Sequence, residues 1–478
     1  MPRLLTSAAV VAALVAAAVA ALLQSSTTGP WLKLRVAVEL LGWDGLARVA
    51  RESAAQRVLG ARGTHSRRAF HELLDAVSAA ELGYLVPQRR VVDEETIAEG
   101  HRLFGHLLRT GLRLFYEADL DRPHFAEMVG PRCKMLGDNP DAFYYSAVVR
   151  PDATYEITGS RRGEAYLSLT VYEAPCVGCF SSRVVADVND HQLAFEPDGQ
   201  SFVIRVSAEA PKPSEGVRNW LPLTNVSRGA WPQIITRHYY ELATSAQLDI
   251  IDLAQNISIR RVLPARARSV AELGLRPLWA SRLSDRESAD RLERVAAFVT
   301  THTTGMLQDP AKAPQWFSFT PNKFGPAQLF RNANKGELGA VDIAYSAGPF
   351  KLPGPSPASH AVEITGVMPP CVFANVVLWN VFMQTFAFER GLNVSLNRAQ
   401  MRSLRRDTGE FRILLSRDPP SRSGRFAGHD WLCSEGRLDG TVFWRFLLPE
   451  VDDVATPQAR VVELAEGDVD PRAWDELV

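Results

Sequence analysis

One residue pattern occurs twice in the chain, and this repeat limits the folds that the chain can adopt. Tyr155–Gly159 (Tyr-Glu-Ile-Thr-Gly) returns as Val362–Gly366 (Val-Glu-Ile-Thr-Gly). Each copy is followed by an Asp-led apolar run, a Trp-Leu pair and an arginine in a second apolar run. In the first copy these are Asp198–Ser207, Trp220-Leu221 and Arg237, and in the second they are Asp407–Ser416, Trp431-Leu432 and Arg445. Four markers in one order at nearly equal spacing predict two homologous β-domains in tandem.

The residues around these markers predict a mainly β protein with helical additions, an α+β class. Short runs rich in β-branched and aromatic residues are separated by turn sequences such as Pro151-Asp152. Strands are predicted at Phe143–Val149, Thr154–Ile157, Ala165–Val171, Arg183–Val188, Leu193–Phe195, Phe202–Val206 and Gln233–Tyr240. Because no β-α-β alternation is present, we expect two antiparallel jelly-roll or β-sandwich domains in tandem.

Apolar residues at helical spacing predict helices before and between the two β-domains, including Ala243–Ala254 and Arg291–Leu307. The full organisation follows from these patterns. It is a signal peptide or membrane anchor at 1–30, a helical region at 31–130, the first β-domain at 131–242, a helical insertion and linker at 243–330, the second β-domain at 331–466, and an acidic tail at 467–478.

The N-terminus carries a membrane signal. Leu4–Leu23 is uncharged, rich in Ala, Val and Leu, and follows Met1-Pro2-Arg3. About 20 apolar residues in a helix can cross a ~30 Å hydrocarbon layer. The small-residue triplet Ala18–Ala20 also suits a cleavable signal peptide, but the apolar core is longer than the usual signal sequence. We therefore expect a single-pass membrane helix with the body outside the cytoplasm, or secretion after cleavage.

Five cysteines gain importance in an exported chain, where disulfides persist. Cys176 and Cys179 are predicted to form a local disulfide across a turn. A Cys371–Cys433 bridge within the second repeat is an open alternative, since sequence does not show whether their Cα atoms lie close enough. At least one of the five thiols stays unpaired within the chain.

The overall charge excludes one class of partner. The formal net charge is −1, and no basic tract with interleaved aromatic residues is present, so we expect no nucleic-acid binding. Walker, dinucleotide-binding, zincin and Gly-x-Ser-x-Gly motifs are also missing from the sequence. The expected partners are the membrane through residues 4–23, a glycan or lipid ligand, and other proteins.

Parts of the repeat are similar to a known family. The second copy resembles the DUF1214 family at Ala361–Gly366, Val377–Thr385, Ser395–Gln400 and Thr441–Leu448, and Gly137–Tyr145 looks like the start of the DUF1254-type region often found upstream. The resemblance covers residues from about 130 to 465 and implies tandem jelly-roll domains. It implies no activity, because the function of that family is unassigned. The run His429–Cys433 departs from the Asn-Trp-Leu-Asp type run expected there, to which Arg218–Leu221 partly conforms.

The most polar part of the first repeat supplies the candidate site. Asp141 follows Gly137 in a loop, and Asp190 and His191 follow a predicted strand. Asp141 and Asp190 are predicted as the general acid and base of glycosidic chemistry, with His191 as an alternative base for elimination or hydrolysis. The predicted ligand-binding residues are Asn139, Tyr144, Tyr145, Asn189, Arg218 and Arg237. No cofactor is predicted, although this oxygen-rich set could hold Ca²⁺.

A structural interpretation competes with this site. Asp-Asn-Pro and Asn-Asp-His are good turn sequences whose side chains cap their own backbone. Arg237 and Arg445 recur in both repeats, as buried structural arginines would. Three functions therefore stay open: an exported or membrane-anchored protein that binds or processes an envelope glycan or glycolipid, a non-enzymatic scaffold subunit of an envelope complex, and an enzyme that acts on a lipid or sterol-like small molecule.

Overall fold

The structure is a computed structural model that describes residues 64–89, 93–130, 132–179, 181, 183–227, 230–241, 256–262, 283–305, 314–330 and 339–470. Residues 69–478 belong to one compact unit. The predicted anchor Leu4–Leu23 and the predicted helix Ala243–Ala254 lie outside the described ranges. Within those ranges, no helix is both long enough and apolar enough to cross a bilayer.

Three α-helices lie in the described part of the chain. They are α1 (Thr64–Ala80), α2 (Glu94–Gly111) and α3 (Asp285–Thr301), with π-helical turns at Glu81–Gln88 and Leu112–Tyr116. Helix α3 begins six residues before the predicted Arg291, because Ser284 and Glu287 form a reciprocal capping box there. Asp93 caps α2 by accepting a 2.8 Å hydrogen bond from the backbone N–H of Thr96.

In the described residues, the first β-domain has nine strands in two sheets. They are β1 (Ala126–Val129), β2 (Ala142–Val148), β3 (Tyr155–Ser160), β4 (Tyr166–Glu173), β5 (Arg183–Asn189), β6 (Ser201–Ser207), β7 (Trp220–Pro222), β8 (Gln233–Tyr239) and β9 (Ile257–Arg261). The five-stranded sheet has the order β1-β2-β8-β4-β5, and the four-stranded sheet has the order β7-β6-β3-β9.

The second β-domain repeats this arrangement strand for strand. Its strands are β10 (Gln328–Leu329), β11 (Ile343–Lys351), β12 (His360–Val367), β13 (Phe373–Trp379), β14 (Ser395–Asn397), β15 (Glu410–Ser416), β16 (Asp430–Cys433), β17 (Asp439–Leu447) and β18 (Gln458–Glu463). Its sheet orders are β10-β11-β17-β13-β14 and β16-β15-β12-β18. Every strand of the first domain therefore has its equivalent nine strands later, and the fold is mainly β with few helices.

The sequence markers of the repeat fall on equivalent strands. Tyr155–Gly159 lies in β3 and Val362–Gly366 lies in β12. The Trp-Leu pairs lie in β7 and β16, each of which pairs in parallel with the preceding strand, whereas all other strand pairs in the described part are antiparallel. Trp220 and Trp431 donate the same 3.3 Å indole hydrogen bond, to the carbonyls of Ser207 and Ser416. The Trp-Leu marker thus has a structural cause, since it fixes a parallel edge strand.

The four sheets of the described residues stack on one another and are held together by apolar packing. Within each domain, the five-stranded and four-stranded sheets share one core, as with Leu169 and Ile204 in the first domain. The two five-stranded sheets then face each other across a further apolar cluster, in which the rings of Tyr239 and Phe373 lie 5.2 Å apart. Helices α2 and α3 pack with Met128 and Ile235 against part of the first five-stranded sheet.

Several predicted boundaries change. Leu193–Phe195 is an irregular segment and not the predicted strand. The side chain of Asn219 holds it, because its oxygen accepts from the N–H of Ala194 (2.8 Å) and its amide nitrogen donates to the carbonyl of Ala194 (2.9 Å). Strand β1 begins before residue 131, β9 lies inside the predicted helical insertion, and β10 begins before residue 331. These three are short edge strands, which carry too few residues for a period-two pattern to identify them.

The cysteine predictions have two outcomes. Cys176 and Cys179 form the predicted local disulfide, with their Cα atoms 5.1 Å apart. The Cys371–Cys433 bridge is wrong, because both thiols are free and buried, as is Cys133. Cys433 lies on β16 of the four-stranded sheet, whereas Cys371 precedes β13 of the five-stranded sheet.

Candidate functional site

The predicted acid–base pair is not brought together by the fold. Asp141 precedes β2 and Asp190 follows β5, and strands β8 and β4 lie between them in the sheet. Three strand spacings separate the two backbones by roughly 14 Å. The carboxylate of Asp141 is bonded by Asn375 and Asn397, whereas that of Asp190 lies beside Arg161, so each carboxylate has its own separate partners.

Asp141 instead joins the two β-domains. Its carboxylate is fully buried and accepts hydrogen bonds from the side-chain amides of Asn375 (2.8 Å) and Asn397 (3.1 Å) of the second domain. Asn375 also donates to the side-chain oxygen of Asn139 at 2.8 Å. Two of the predicted site residues, Asp141 and Asn139, are therefore buried in the contact between domains.

The second domain makes the reciprocal contact. Asp342 lies one residue before β11, as Asp141 lies one residue before β2, and it accepts bonds from Asn189 (3.0 Å) and Tyr166 (2.6 Å) of the first domain. Asn189 is the last residue of β5, and Asn397 is the last residue of the equivalent strand β14. The predicted ligand residue Asn189 thus has the same bonding role as Asn397.

The two repeated arginines occupy equivalent buried positions between the domains. Arg237 pairs in register with Ser168, and Arg445 pairs with Asn375. Arg237 donates to the hydroxyls of Thr170 (3.0 Å) and Tyr172 (2.5 Å). Arg445 donates to the carbonyl of Gly137 at 2.9 Å and lies over the ring of Trp379.

The aromatic partners of the two arginines also donate across the domain contact. Tyr172 donates to the carbonyl of Gly339 (2.7 Å), and Trp379 donates to the carbonyl of Asp138 (2.9 Å).

The other predicted residues are dispersed. Asp190 is buried beside Arg161, whose guanidinium lies 3.2 Å from its carboxylate, while His191 is exposed. Arg218 is exposed and forms a 2.5 Å ion pair with Glu196. The tyrosines do not form an exposed stacking surface: Tyr144 is half-buried with its hydroxyl 3.1 Å from that of Tyr239, and Tyr145, Tyr166 and Tyr172 are buried.

Burial changes the acid–base behaviour of the carboxyls between the domains. Burial raises the pKa of Asp141 to about 6, although the amides of Asn375 and Asn397 act in the opposite direction. Burial likewise raises the pKa of Asp138 to about 6, against the nearby charge of Lys134 and the bonds from Thr385. Because all of these groups already bond across the domain contact, their shifted pKa values belong to the assembly of the two domains.

A second polar cluster lies inside the first β-domain. Thr236 and His238 lie at alternate positions of β8, on the face opposite Arg237, and Tyr240 directly follows the strand. Glu164 before β4 and Tyr145 on β2 lie next to them. All five side chains are buried. We call Glu164, Thr236 and His238 the interior triad.

The interior triad has the bonding order of an activated nucleophile. The His238 Nδ1 atom lies 3.1 Å from Glu164 Oε1, and its Nε2 atom lies 3.0 Å from the Thr236 hydroxyl. Glu164 also accepts a 3.1 Å bond from the Tyr240 hydroxyl. An ionised Glu164 assigns the ring proton to Nδ1, which leaves Nε2 as the acceptor for the Thr236 hydroxyl. This is the relation of nucleophile, base and orienting acid that defines a catalytic triad.

The surroundings of Glu164 favour its ionised form. Burial by itself would raise the pKa of Glu164, but the bond and charge of His238, with the backbone N–H of Arg162, outweigh it and lower that pKa. Burial and the charge of Glu164 raise the pKa of Tyr240, so its phenol keeps its proton and donates. The Tyr145 hydroxyl and one carboxylate oxygen of Glu127 are buried without a hydrogen-bond partner in the described part of the chain.

The second repeat has no counterpart of the interior triad. Since Arg237 and Arg445 are equivalent, Thr236 corresponds to Trp444 and His238 corresponds to Phe446. Trp444 and Phe446 are fully buried core residues of the second domain. The same fold therefore supports an apolar core in one repeat and an acid–base cluster in the other, which indicates that the fold itself does not require the polar residues.

The sequence contained a partial signal for this cluster. Thr236, His238 and Tyr240 form a Thr-x-His-x-Tyr pattern, and period-two alternation places polar groups at such positions on one face. Glu164 carries no such signal, since it joins the cluster only through the pairing of β4 with β8. Among the described residues, no group of three or more His, Cys, Asp or Glu is placed to hold a metal ion.

The comparisons with known proteins show a similarity of fold and nothing further. No family model matches the chain, and no curated protein matches it. An uncharacterized protein from Burkholderia cenocepacia has a similar crystal structure, with a TM-score of 0.65 and 22% identity over 84% of this chain and 99% of that one. A Vibrio parahaemolyticus protein aligns with a TM-score of 0.43 and 12% identity, over 75% of this chain and 97% of that one. The fold of the chain is thus similar to that of an uncharacterized bacterial protein.

Proposed function

We propose that the protein is an exported or membrane-anchored enzyme that removes or transfers acyl groups of a cell-envelope glycan or glycolipid, with the interior triad as its active site. The observation that carries the proposal is the hydrogen-bond chain from Thr236 through His238 to Glu164. We assign the β-sandwich that surrounds the interior triad to the jelly-roll class, as the resemblance to DUF1214 proteins implies.

The chemistry follows from the roles of the three side chains. The Thr236 oxygen attacks the carbonyl carbon of the ester while His238 takes the hydroxyl proton. The carbon–oxygen bond to the sugar or lipid alcohol breaks, and His238 returns the proton to that alcohol. Water, deprotonated by His238, then releases the acid from Thr236. Glu164 acts as a positioning residue, since it holds the imidazole in the required tautomer and stabilises its charged form.

Access to the triad requires an opening of the first domain. Thr236 has no exposed surface, and Tyr145, Phe143 and Tyr240 form the small apolar cluster that closes this end of the sandwich. A substrate acyl group must displace these rings. We therefore expect bulky reagents to label Thr236 slowly, and to label it faster when Tyr145 is replaced by Ala.

The test is hydrolysis of p-nitrophenyl esters by the full chain, together with covalent labelling by a fluorophosphonate. We expect Thr236→Val and His238→Gln to abolish both signals, Thr236→Ser to retain them, and Glu164→Gln to lower kcat more than KM. Thr158→Val is the matched control, since Thr158 bonds Ser258 at 2.7 Å on the outer sheet. Activity that survives in the folded Thr236→Val protein would exclude the interior triad.

The substrate is tested by a thermal-shift panel of acylated glycans, glycolipids, sterol esters and Ca²⁺. A ligand at about 100 times its Kd stabilises the folded chain by ~2.7 kcal/mol, which gives a clear rise in Tm. Stabilisation by a glycolipid would support the proposed substrate class. Stabilisation by a sterol ester alone would favour a small-lipid enzyme with the same triad, and a Ca²⁺ response would support a calcium site.

The envelope location is part of the proposal. It is supported by the apolar segment Leu4–Leu23 and by the Cys176–Cys179 disulfide, since such bonds persist outside the cytoplasm. Extraction of cell membranes with alkaline carbonate is the measurement. Retention in the membrane pellet would support an anchor, and recovery in the culture medium would support signal cleavage.

A scaffold function is the second candidate, and one observation favours it. Phe70 and Leu74 lie one turn apart on α1 and are about half exposed (49% and 50%), and Leu82 in the following turn is 73% exposed. An apolar helical surface of this kind fits a partner protein. Loss of one defined partner from detergent extracts of the Phe70→Gln/Leu74→Gln variant would support a scaffold, and recovery of the wild-type chain as a lone monomer would exclude it.

A further inference from the structure

Three exposed arginines of the second β-domain have no ion-pair partner of their own among the described residues. Arg402 and Arg406 lie in the loop before β15, and Arg412 lies on β15 itself. None of their side chains makes a hydrogen bond or an ion pair within the described part of the chain, which contrasts with Arg405, paired at 3.2 Å with Asp407. We call Arg402, Arg406 and Arg412 the arginine patch.

Backbone bonding keeps the members of the patch close together. The Ser403 hydroxyl bonds both the N–H (3.0 Å) and the carbonyl (2.8 Å) of Arg412, so the loop lies directly beside β15. The N–H of Arg405 donates to the carbonyl of Glu410 at 2.8 Å and closes the turn. The backbone that carries the patch is thus fixed beside the start of β15.

The charge of this region differs from that of the whole chain. Between residues 398 and 425 there are eight arginines and three acidic residues, whereas the formal net charge of the protein is −1. Val367 is 45% exposed on β12 and pairs in register with Glu410, at the end of the same turn. A cationic surface with an exposed apolar side chain at its edge combines the two features that bind a lipid interface.

We propose that the arginine patch docks the second β-domain on an anionic phospholipid surface. Guanidinium groups pair with phosphate oxygens through two parallel hydrogen bonds, and a bilayer presents phosphates without requiring a shaped pocket. The patch lies on the second domain, so docking would fix the orientation of the protein at the membrane independently of the interior triad. The patch takes no part in the proposed acyl chemistry.

The test is flotation of the full chain with phosphatidylcholine vesicles that contain either no phosphatidylglycerol or about one third of it. Each basic residue at an anionic surface adds about fivefold to binding, so three arginines give a ~100-fold preference for the anionic vesicles. We expect this preference to vanish in the triple variant Arg402→Gln/Arg406→Gln/Arg412→Gln and in about 0.5 M salt. The neutral vesicles measure the contribution of the N-terminal segment alone.

The control replaces three exposed arginines that are ion-paired on the first domain, Arg150, Arg218 and Arg260, by Gln. This variant removes the same charge and should keep the vesicle preference. An equal loss in both triple variants, or no preference in the wild-type protein, would overturn the proposal. Patch-dependent binding to heparin without a preference for anionic vesicles would assign the patch to a polysaccharide and overturn the lipid assignment.

Discussion

Asp141 and Asp342 hold equivalent positions in the two β-domains, and each is bonded by an asparagine of the opposite domain. Asn397 donates to Asp141 at 3.1 Å, and Asn189 donates to Asp342 at 3.0 Å. Each aspartate precedes the second strand of its domain, and each asparagine ends the fifth. The internal repeat therefore extends from the fold of each domain to the bonds that join the two domains.

Replacing Asp141 by Ala should destabilise the protein by about 2–4 kcal/mol. The change leaves the amides of Asn375 and Asn397 buried without their acceptor, and each unpaired group costs ~1–3 kcal/mol. Urea unfolding measures the effect. Asp152→Ala is the matched control, because Asp152 is exposed and forms a surface ion pair with Arg150; it should leave the urea midpoint close to that of the wild type. Equal effects of the two changes would contradict a joining role for Asp141.

Asp138 and Asp141 should make stability fall as the pH rises from about 4 to about 6. Their folded-state pKa of about 6 lies above the ordinary aspartate value of 3.8, so the folded state binds more protons in this window and loses that stability as they ionise. A shift of one unit corresponds to about 1.4 kcal/mol. Glu363 and Glu389, whose pKa values are lowered, act in the opposite direction.

The measurement for this pH effect is therefore a comparison of two proteins. Asp141→Asn mimics the protonated carboxyl and should show a flatter pH dependence of the unfolding free energy than the wild type between about pH 4 and 6. Parallel curves for the two proteins would contradict the raised pKa of Asp141.

Gly137→Ala should cost more stability than Gly163→Ala. Both glycines have a φ of +84°, where a side chain costs about 1–2 kcal/mol. A Cβ on Gly137 would lie 2.8 Å from the Trp379 ring across the domain contact, whereas one on Gly163 would meet no atom within 4 Å. Chemical denaturation of the two variants separates the clash from the backbone cost. A cost at Gly163 that equals the cost at Gly137 would argue against close packing at Trp379.

The three free cysteines should react with thiol reagents only after unfolding. Cys133, Cys371 and Cys433 are buried, and burial raises the pKa of Cys371 to about 11 and that of Cys433 to about 12. Thiolate is the reactive form, so native protein should titrate with close to no thiols. Unfolded protein should titrate with three thiols without reductant and with five after reduction. Five thiols without reductant would contradict the Cys176–Cys179 disulfide.

The sequence predicted the strands of the fold more closely than it predicted the contacts of the candidate site. Strands such as β4 and β8 carry long runs of β-branched and aromatic residues, and their predicted bounds agree with the structure to within two residues. Short edge strands such as β1 and β10 have no comparable pattern of their own. The segment at Ala194 has strand-like composition, but the amide of Asn219 bonds its backbone, and a local pattern contains no information on such a partner.

The candidate site depended on contacts between distant residues. Asp141 and Asp190 both follow turn chemistry and look alike in the sequence, yet one bonds the second domain and the other lies beside Arg161. Glu164 gave no signal, although it bonds His238, which lies 74 positions later. Residue types alone therefore pointed to a polar site in the first domain, and the contacts between distant residues separate the members of that predicted set.

The sequence by itself determined that two homologous β-domains follow one another, because the repeated residues specify strand length, turns and the Trp-bonded edge strand locally. Only the tertiary structure decided that the asparagines at the ends of β5 and β14 bond the aspartates of the opposite domain, and that Thr236, His238 and Glu164 meet inside the first. The physical reason is that these contacts depend on which sheets face each other, and that pairing is set by the burial of whole apolar faces rather than by any one stretch of chain.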